Sequence, residues 1–477
     1  MVIPREVKNI LSVLQKAGFE AYIVGGCVRD FLLGIEPKDW DVTTNAKPED
    51  VQKVFPDSFY ENNFLTVGVK TADGIVEVTT YRLEAKYSDK RHPDAVKYAK
   101  TLEEDLSRRD FTINAMAMGL DKKVIDPFDG QANLKKKIIR TVGDANERFS
   151  EDALRMLRAV RFATTLSFEI EPKTAEAVKK NNVWIEAVSK ERIRDEFVKM
   201  IMAPKAADGI ELLRSLNLLK FILPELQENY GVSQNKHHVY DCYWHALKAL
   251  EYTAKKKYNL HVRIAALLHD VGKPRSKTGE GKEATFYNHE MVGAKMAFQI
   301  LNRLKFPNKD IEKIVTLIRY HMFYYNVDEV TESSVRRLIK NVGPENMEEL
   351  MQVREADRIG SGVPKAEPYK LRHLKYIIEK VSKDPISVKM LKVNGNDLME
   401  LLKITPGPKI GQILDILLGH VLDDSKKNTK AFLEKEAIML AGLPDKELKE
   451  LAEKSKGEKE EVQSKEDSVV KSKYWVK

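Results

Sequence analysis

Two aspartates one residue apart, Asp39 and Asp41 in KDWDVTT, are the first side chains whose types and spacing could do chemistry. The segment reads as a β-strand. Alternate strand residues face one side, so both carboxylates project together while Trp40 points the other way. Two carboxylates held together repel unless cations lie between them. Divalent ions relieve that repulsion, and hard ions such as magnesium prefer carboxylate and phosphate oxygens. A pair of ions roughly 3.5–4 Å apart could activate an attacking 3′-hydroxyl and stabilise a departing pyrophosphate. Glu77, between Val76 and Val78 on the next strand pair, is placed to supply a third carboxylate. Taken alone, a D-x-D triplet equally describes an exposed strand face.

The preceding segment, GGCVRDFLLG, narrows that choice. Gly25 and Gly26 between a strand and a helix let backbone N–H groups approach a phosphate, the helix N-terminus favours anions, and Arg29 adds a charged donor. Further on, Arg108 and Arg109 precede Asp110, and Asn114 follows. Adjacent arginines beside a metal site could hold triphosphate oxygens and Asn114 could reach a ribose hydroxyl; a solvated basic turn is the alternative. In EDALRMLRAVRF, helical spacing puts Asp152, Arg155 and Arg158 in one row. Asp152 offers acceptors and Arg155 offers donors. Cytosine and adenine both present an amino donor beside a ring acceptor, whereas uracil and guanine present the reverse. One Asp–Arg pair could therefore accept CTP and ATP and leave wrong bases with unsatisfied buried groups. An ordinary intrahelical ion pair is the other reading of the same spacing.

Histidines concentrate in one later stretch. His245 lies on a predicted helix, His269-Asp270 ends the apolar helix RIAALLHDVGK, and His289, His321 and Asp357 follow. A lone histidine on an apolar helix is usually a core residue, but burying an adjacent His-Asp pair demands a partner.

These groups must be held by several domains, since 477 residues exceed one ordinary core. Hydrophobic residues make up 43% and charged residues 32%, which suits a globular chain, and the net charge of +8 permits a polyanionic partner. The two cysteines, Cys27 and Cys242, exclude a disulfide framework and a thiolate zinc site. Apolar runs are broken by charge, so no membrane span is expected, and the early charges of MVIPREVKNI do not suit a secretory signal. A cytoplasmic protein is expected; its oligomeric state is not indicated. The first ~140 residues alternate helix and strand signals: Val7, Ile10, Leu11 and Leu14 at helical spacing, AYIV as a strand, and a hairpin with its turn at Ala72-Asp73-Gly74. Strand signals nearly vanish after about residue 145, and breaks fall near Pro172, Pro204, Pro224 and Pro406-Gly407-Pro408.

GGCVRDFLLG followed by KDWDVTT resembles the signature of the class II tRNA nucleotidyltransferase (CCA-adding) and bacterial poly(A) polymerase family. Further similar blocks run in order at 91–117, 126–163 and 189–201, so the resemblance covers roughly residues 10–225. It implies an α+β chain: a small polymerase-β-like head of mixed sheet and helices, then an all-helical neck. It also implies metal binding by Asp39 and Asp41, with Glu77 as third carboxylate, and base reading by Asp152 and Arg155. In the family, the loop equivalent to Lys86–Pro93 helps switch from C to A addition, which points to Asp89 and Arg91. The order His245, His269-Asp270, His289, His321, Asp357 resembles the HD phosphohydrolase superfamily. That resemblance implies a divalent transition metal on His245, His269, Asp270 and Asp357, with His289 and His321 on a second metal or the substrate phosphate. The segment from Val393 to Thr429 resembles the C-terminal region of bacterial nucleotidyltransferases, which could touch a tRNA backbone or simply pack.

The expected division is a catalytic head at 1–145, a neck at 146–228, an HD-type helical domain at 229–365, a helical tail region at 366–453 and disorder at 454–477. The expected activity is template-independent addition of CCA to the 3′ end of tRNA from CTP and ATP, with magnesium. A-only, CC-only or poly(A) addition use the same chemistry. A phosphohydrolase with a vestigial head and a non-catalytic RNA binder are the readings of other classes.

Overall fold

The structure, a computed structural model, describes residues 2–61, 65–72, 74–85, 95–234, 239–280, 283–382 and 388–476. The chain divides into two compact units, one of residues 1–322 and 352–364, the other of residues 323–351 and 365–477. The expected HD-type domain at 229–365 is therefore not one unit: residues 323–351 group with the C-terminal part.

In the first unit the head opens with α1 (Arg5–Lys16), β1 (Ala21–Val24), α2 (Gly26–Leu33), β2 (Asp41–Thr44) and α3 (Pro48–Val54). It continues with β3 (Ser58–Glu61), β4 (Thr66–Thr71), β5 (Gly74–Thr80), β6 (Arg82–Ala85), β7 (Ala95–Tyr98) and α4 (Leu102–Ser107), then β8 (Ala117–Met118) and β9 (Val124–Ile125). Seven strands form one mixed sheet in the order β3-β4-β5-β2-β1-β8-β9, in which β2 and β5 run parallel. Val7, Ile10, Leu11 and Leu14 of α1 bury their stripe against Ile23, Val42, Val67 and Val78. Each such burial contributes about 1.5–3 kcal/mol. The β4–β5 hairpin closes at Thr71 and Gly74 as the sequence predicts, with Asp73 outside the described residues.

The strand expected across KDWDVTT is shorter than predicted. β2 begins at Asp41, and Asp39 and Trp40 precede it. The reason lies in its neighbour: β1 pairs through Ile23 with Val42 and then turns away at Gly25, so residues before Asp41 have no ladder on that side.

Helices follow: α5 (Gly130–Lys136), α6 (Ala145–Glu151), α7 (Leu154–Leu166), α8 (Pro172–Asn181) and α9 (Lys190–Ile201). The neck is not wholly helical, because Ile138–Ile139 pairs in parallel with Glu169–Ile170. Pro172 and Pro224 each open a helix, where a missing N–H costs nothing.

In the second unit the expected disorder at 454–477 is corrected. Asp445–Lys473 is one 29-residue helix. Leu448, Ala452 and Ser455 bury one end, and Val470 and Val476 pack on Tyr376 at the other. Between them, Lys454–Glu458, Glu461–Lys465 and Asp467–Lys471 are i,i+4 ion pairs. Low hydrophobicity concealed a charge ladder that suits an exposed helix.

Candidate active site

Gly25 carries the chain from β1 into α2 at φ 85° and ψ −136°, a conformation costly for any L side chain. A Cβ there would also lie 2.7 Å from Nη1 of Arg109 and 3.8 Å from Oδ2 of Asp41. Glycine thus lets the β1–α2 turn, a guanidinium and a carboxylate converge. Asp41 and Glu77 are register partners across the parallel β2–β5 pair, so both side chains leave the sheet on one face. Together with Thr79, Arg108 and Arg109 they line a cavity of about 300 Å³. Asp39 is exposed beside this face, and Trp40 packs on the core behind it.

Burial raises the pKa of Asp41; Arg109 opposes that shift and the charge of Asp39 adds to it. A carboxylate driven toward neutrality by burial and by a second carboxylate fits a bound cation, and the neighbouring carboxylates Asp39 and Glu77 are oxygen donors suited to hard divalent ions. Burial also depresses the pKa of Arg109, whose Nε is buried with no hydrogen-bond partner among the described residues.

Asp105 was not singled out from sequence. It is fully buried, accepts from Nε of Arg108 (3.0 Å), and lies 3.9 Å from Nη2 of Arg109. Its spacing of three and four residues from the two arginines is the signal that could have found it.

Arg29, Asp110, Asn114 and Arg158 come together as a buried network rather than on the cavity wall. Arg29 donates to Oδ1 of Asn114 (2.7 Å), Asn114 donates to Asp110 (3.1 Å), and Arg158 donates to Oδ2 of Asp110 (2.8 Å). Burial works against charge on Asp110, but Arg158, Asn114 and Arg155 outweigh it and hold the carboxyl down to about 2.

Asp152 stands outside the helix on which its spacing put it. It joins α6 to α7 at φ −139° and ψ 105°, and its Oδ1 accepts from the N–H of Leu154 (3.0 Å), a local bond that competes with helix continuation. The row of Asp152, Arg155 and Arg158 is therefore broken at its first member. Asp152 pairs with Arg192 of α9 at 2.7 Å, while Arg155 pairs with Glu151 at 2.6 Å. Nη2 of Arg155 also donates to the carbonyl of Arg108 (3.1 Å), which ties α7 to the arginines of the cavity. Neither Arg192 nor Glu151 was picked out from sequence. Glu151 had the i,i+4 signal, whereas Arg192 is distant and had none. Asp89 and Arg91 lie outside the described residues.

The histidines of the later stretch lie together. Nε2 of His245 lies 2.8 Å from Nε2 of His269, and Asp270 Oδ2 lies 3.1 and 3.2 Å from those two atoms. Asp357 Oδ1 is 3.3 Å from His245, and Asp270 Oδ1 is 3.3 Å from His289 and 3.7 Å from His321. Two donor sets share Asp270: His245 with His269, and His289 with His321. Nδ1 of His269, His289 and His321 each bonds the carbonyl three residues earlier at 2.7–2.8 Å, which turns each Nε2 inward. Burial disfavours charge on His269, yet Asp270 and Asp357 lift its pKa to about 10, while burial pushes His321 down to about 3. Carboxylates and inward imidazole nitrogens around one centre suit a divalent transition metal. Lys273, Arg354 and Arg358 line the adjoining cavity of about 680 Å³.

The Poly A polymerase head domain model matches residues 21–140, an RNA and SrmB-binding model of polymerase A matches 167–229, and the tRNA nucleotidyltransferase domain 2 model matches 284–437. The CCA-adding enzyme of Ligilactobacillus salivarius is 34% identical over 91% of this chain and 98% of its own. The A-adding tRNA nucleotidyltransferase of Deinococcus radiodurans is 32% identical over 87% and 95%. The solved Bacillus stearothermophilus CCA-adding enzyme in complex with CTP superposes with a TM-score of 0.60 at 29% identity, over 92% of this chain and 98% of that one. A polymerase head with a carboxylate face, and similarity running nearly end to end, lead to one conclusion: the chain belongs to the tRNA nucleotidyltransferase and poly(A) polymerase family.

Proposed function

We propose that this protein adds C, C and A to the 3′ end of tRNA from CTP and ATP, without a template, in the cytoplasm. The observation that carries this reading is the bond from Arg155 to the carbonyl of Arg108. It ties the segment proposed to read the base to the backbone of the arginines proposed to hold the phosphates. Arg108 and Arg109, both on the cavity wall, hold the triphosphate. Arg29, Asn114, Asp110 and Arg158 brace α2 against α7 behind it. Asp152 accepts from the base amino group and Arg155 donates to the ring nitrogen, an order that cytosine and adenine share. Magnesium held by Asp39, Asp41 and Glu77 would activate the 3′-hydroxyl and neutralise the departing pyrophosphate. Asp89 and Arg91 take part in the change from C to A.

The test incubates the protein with tRNAs ending before CCA, after C and after CC, with CTP and ATP separately and together, and sequences the new ends. Full CCA on the shortest tRNA is expected; A on the longest alone would mean A-only addition, and long A tracts poly(A) tailing. Asp152→Asn should cut the preference for CTP and ATP over UTP and GTP by about tenfold or more, since a donor replaces an acceptor.

The His–Asp centre favours a second activity, hydrolysis of a phosphoester by a resident transition metal. Lys273, whose Nζ lies 2.6 Å from Asp270, and Arg354, 2.6 Å from Asp357, place positive charge beside the ligands and the cavity. A metal there would supply the activated water.

A further inference from the structure

Of three acidic residues in sequence on α4, only Asp105 turns inward: Glu103 is exposed, and Glu104 bonds the N–H of Lys100 at the surface. The Asp105 carboxylate gathers contacts from three elements. Its Oδ2 accepts from Oγ1 of Thr43 (3.2 Å) on β2, and its Oδ1 accepts from the N–H of Arg82 (3.3 Å) at the start of β6. The same Oδ1 meets both Nε and Nη2 of Arg108, at 3.0 and 2.9 Å. Thr43 stands two residues from Asp41, on the strand face that carries the cavity. Burying a carboxylate is costly unless such partners compensate; here Arg82 and Arg108 line the cavity, and Thr43 lies buried on the strand that carries Asp41.

We infer that Asp105 is a positioning residue for nucleotidyl transfer: it fixes the guanidinium of Arg108 to the strand that bears Asp41, so triphosphate and carboxylate face keep one geometry. Arg109, 3.9 Å away, is drawn to the same carboxylate from the other side. This assignment rests on the proposed role of Arg108 and Arg109 in holding triphosphate. It adds that their aim is set by a side chain no substrate touches.

The experiment is a double-mutant cycle on the full chain with Asp105→Asn, Arg108→Gln and the pair. KM for ATP and kcat are measured separately on a tRNA lacking only its terminal A, together with thermal unfolding. Arg108→Gln should raise KM about tenfold, the loss of one charge-assisted contact. Asp105→Asn should raise KM several-fold, and the pair should be no worse than Arg108→Gln alone, because both changes remove one interaction. Asp105→Glu, which keeps the charge, should recover part of the loss. Multiplying effects in the pair, or a fall in kcat at constant KM, would overturn the role of Asp105 while leaving the arginines' role intact. An unchanged KM in Arg108→Gln would instead sink the triphosphate reading itself. If Asp105→Asn does not fold, Thr43→Val takes its place, since it removes only the hydroxyl anchoring Oδ2; unchanged KM in that variant overturns the proposal.

Discussion

The two acidic centres of the first unit are built in opposite ways. On the head, Asp39 and Glu77 are exposed and Asp41 is half-buried at the start of an interior strand. In the His–Asp centre, His245 and His269 are fully buried, Asp270 is 1% exposed, and backbone carbonyls aim three of the imidazoles. The first set has few donors and stands open, so a cation there needs the oxygens of an incoming triphosphate to complete its shell. The second offers imidazoles and carboxylates already converged, so a metal there would be held before any substrate arrives. On the proposed reading, one fold would carry a site completed by its substrate and a site completed by itself.

Asp41→Asn attacks the contrast hardest. It keeps the volume and removes one charge from a set with few to spare. Nucleotide incorporation should fall by roughly a thousandfold, with the metal content of the purified protein unchanged. Loss of bound metal in this variant would show that the head, too, holds its ion without substrate.

Asp270→Asn is the mirror experiment. Both donor sets share Asp270, so elemental analysis should find the resident metal lost and phosphoester hydrolysis down by about a hundredfold or more. CCA addition should persist. A variant that lost nucleotide incorporation at unchanged thermal stability would mean that the two centres are not independent.

A smaller effect tests how the head is braced. Folded Asp110 titrates near 2, below the 3.8 of a free carboxyl. The unfolded chain therefore takes up the proton first as pH falls. The stabilisation is complete above about pH 4 and disappears toward pH 2. At neutral pH it amounts to about 2 kcal/mol. Asp110→Asn should lower the unfolding free energy at pH 7 by that order and flatten its decline between pH 4 and pH 2. An unaltered pH profile would show that Arg158 does not hold this carboxylate.

How far the sequence disclosed these sites depended on whether the deciding contact was local. The stripe of α1, the strand AYIV and the glycine turn are local patterns, and they stand where the pattern put them. Glu77 was expected only as a third carboxylate on the next strand pair; its register pairing with Asp41 across parallel strands is set by the sheet order, which no local pattern shows. The start of β2 was not anticipated either, since it is set by the turn of a different strand at Gly25. Asp105 looked like Glu103 and Glu104 because nothing in one dimension tells which acid of three faces inward. Arg192 meets Asp152 across forty residues, beyond any helical spacing. His245 and Asp357 are brought together over a longer gap still, and only the ordered motif made that legible.

The C-terminal helix failed for another reason: composition averages over residues, whereas a helix needs anchors at its ends. Tyr376 supplies one, packing with Val470 and Val476 and donating its hydroxyl to Oδ1 of Asp467 at 2.6 Å. Tyr376→Phe keeps the ring and deletes only that bond, a loss of about 1 kcal/mol. Amide hydrogen exchange over residues 460–473 should then speed by about fivefold, with head stability and nucleotide addition unmoved. If those amides already exchange at the rate of an unstructured chain in the parent protein, the charged tail has no docked helix, and composition was the better guide.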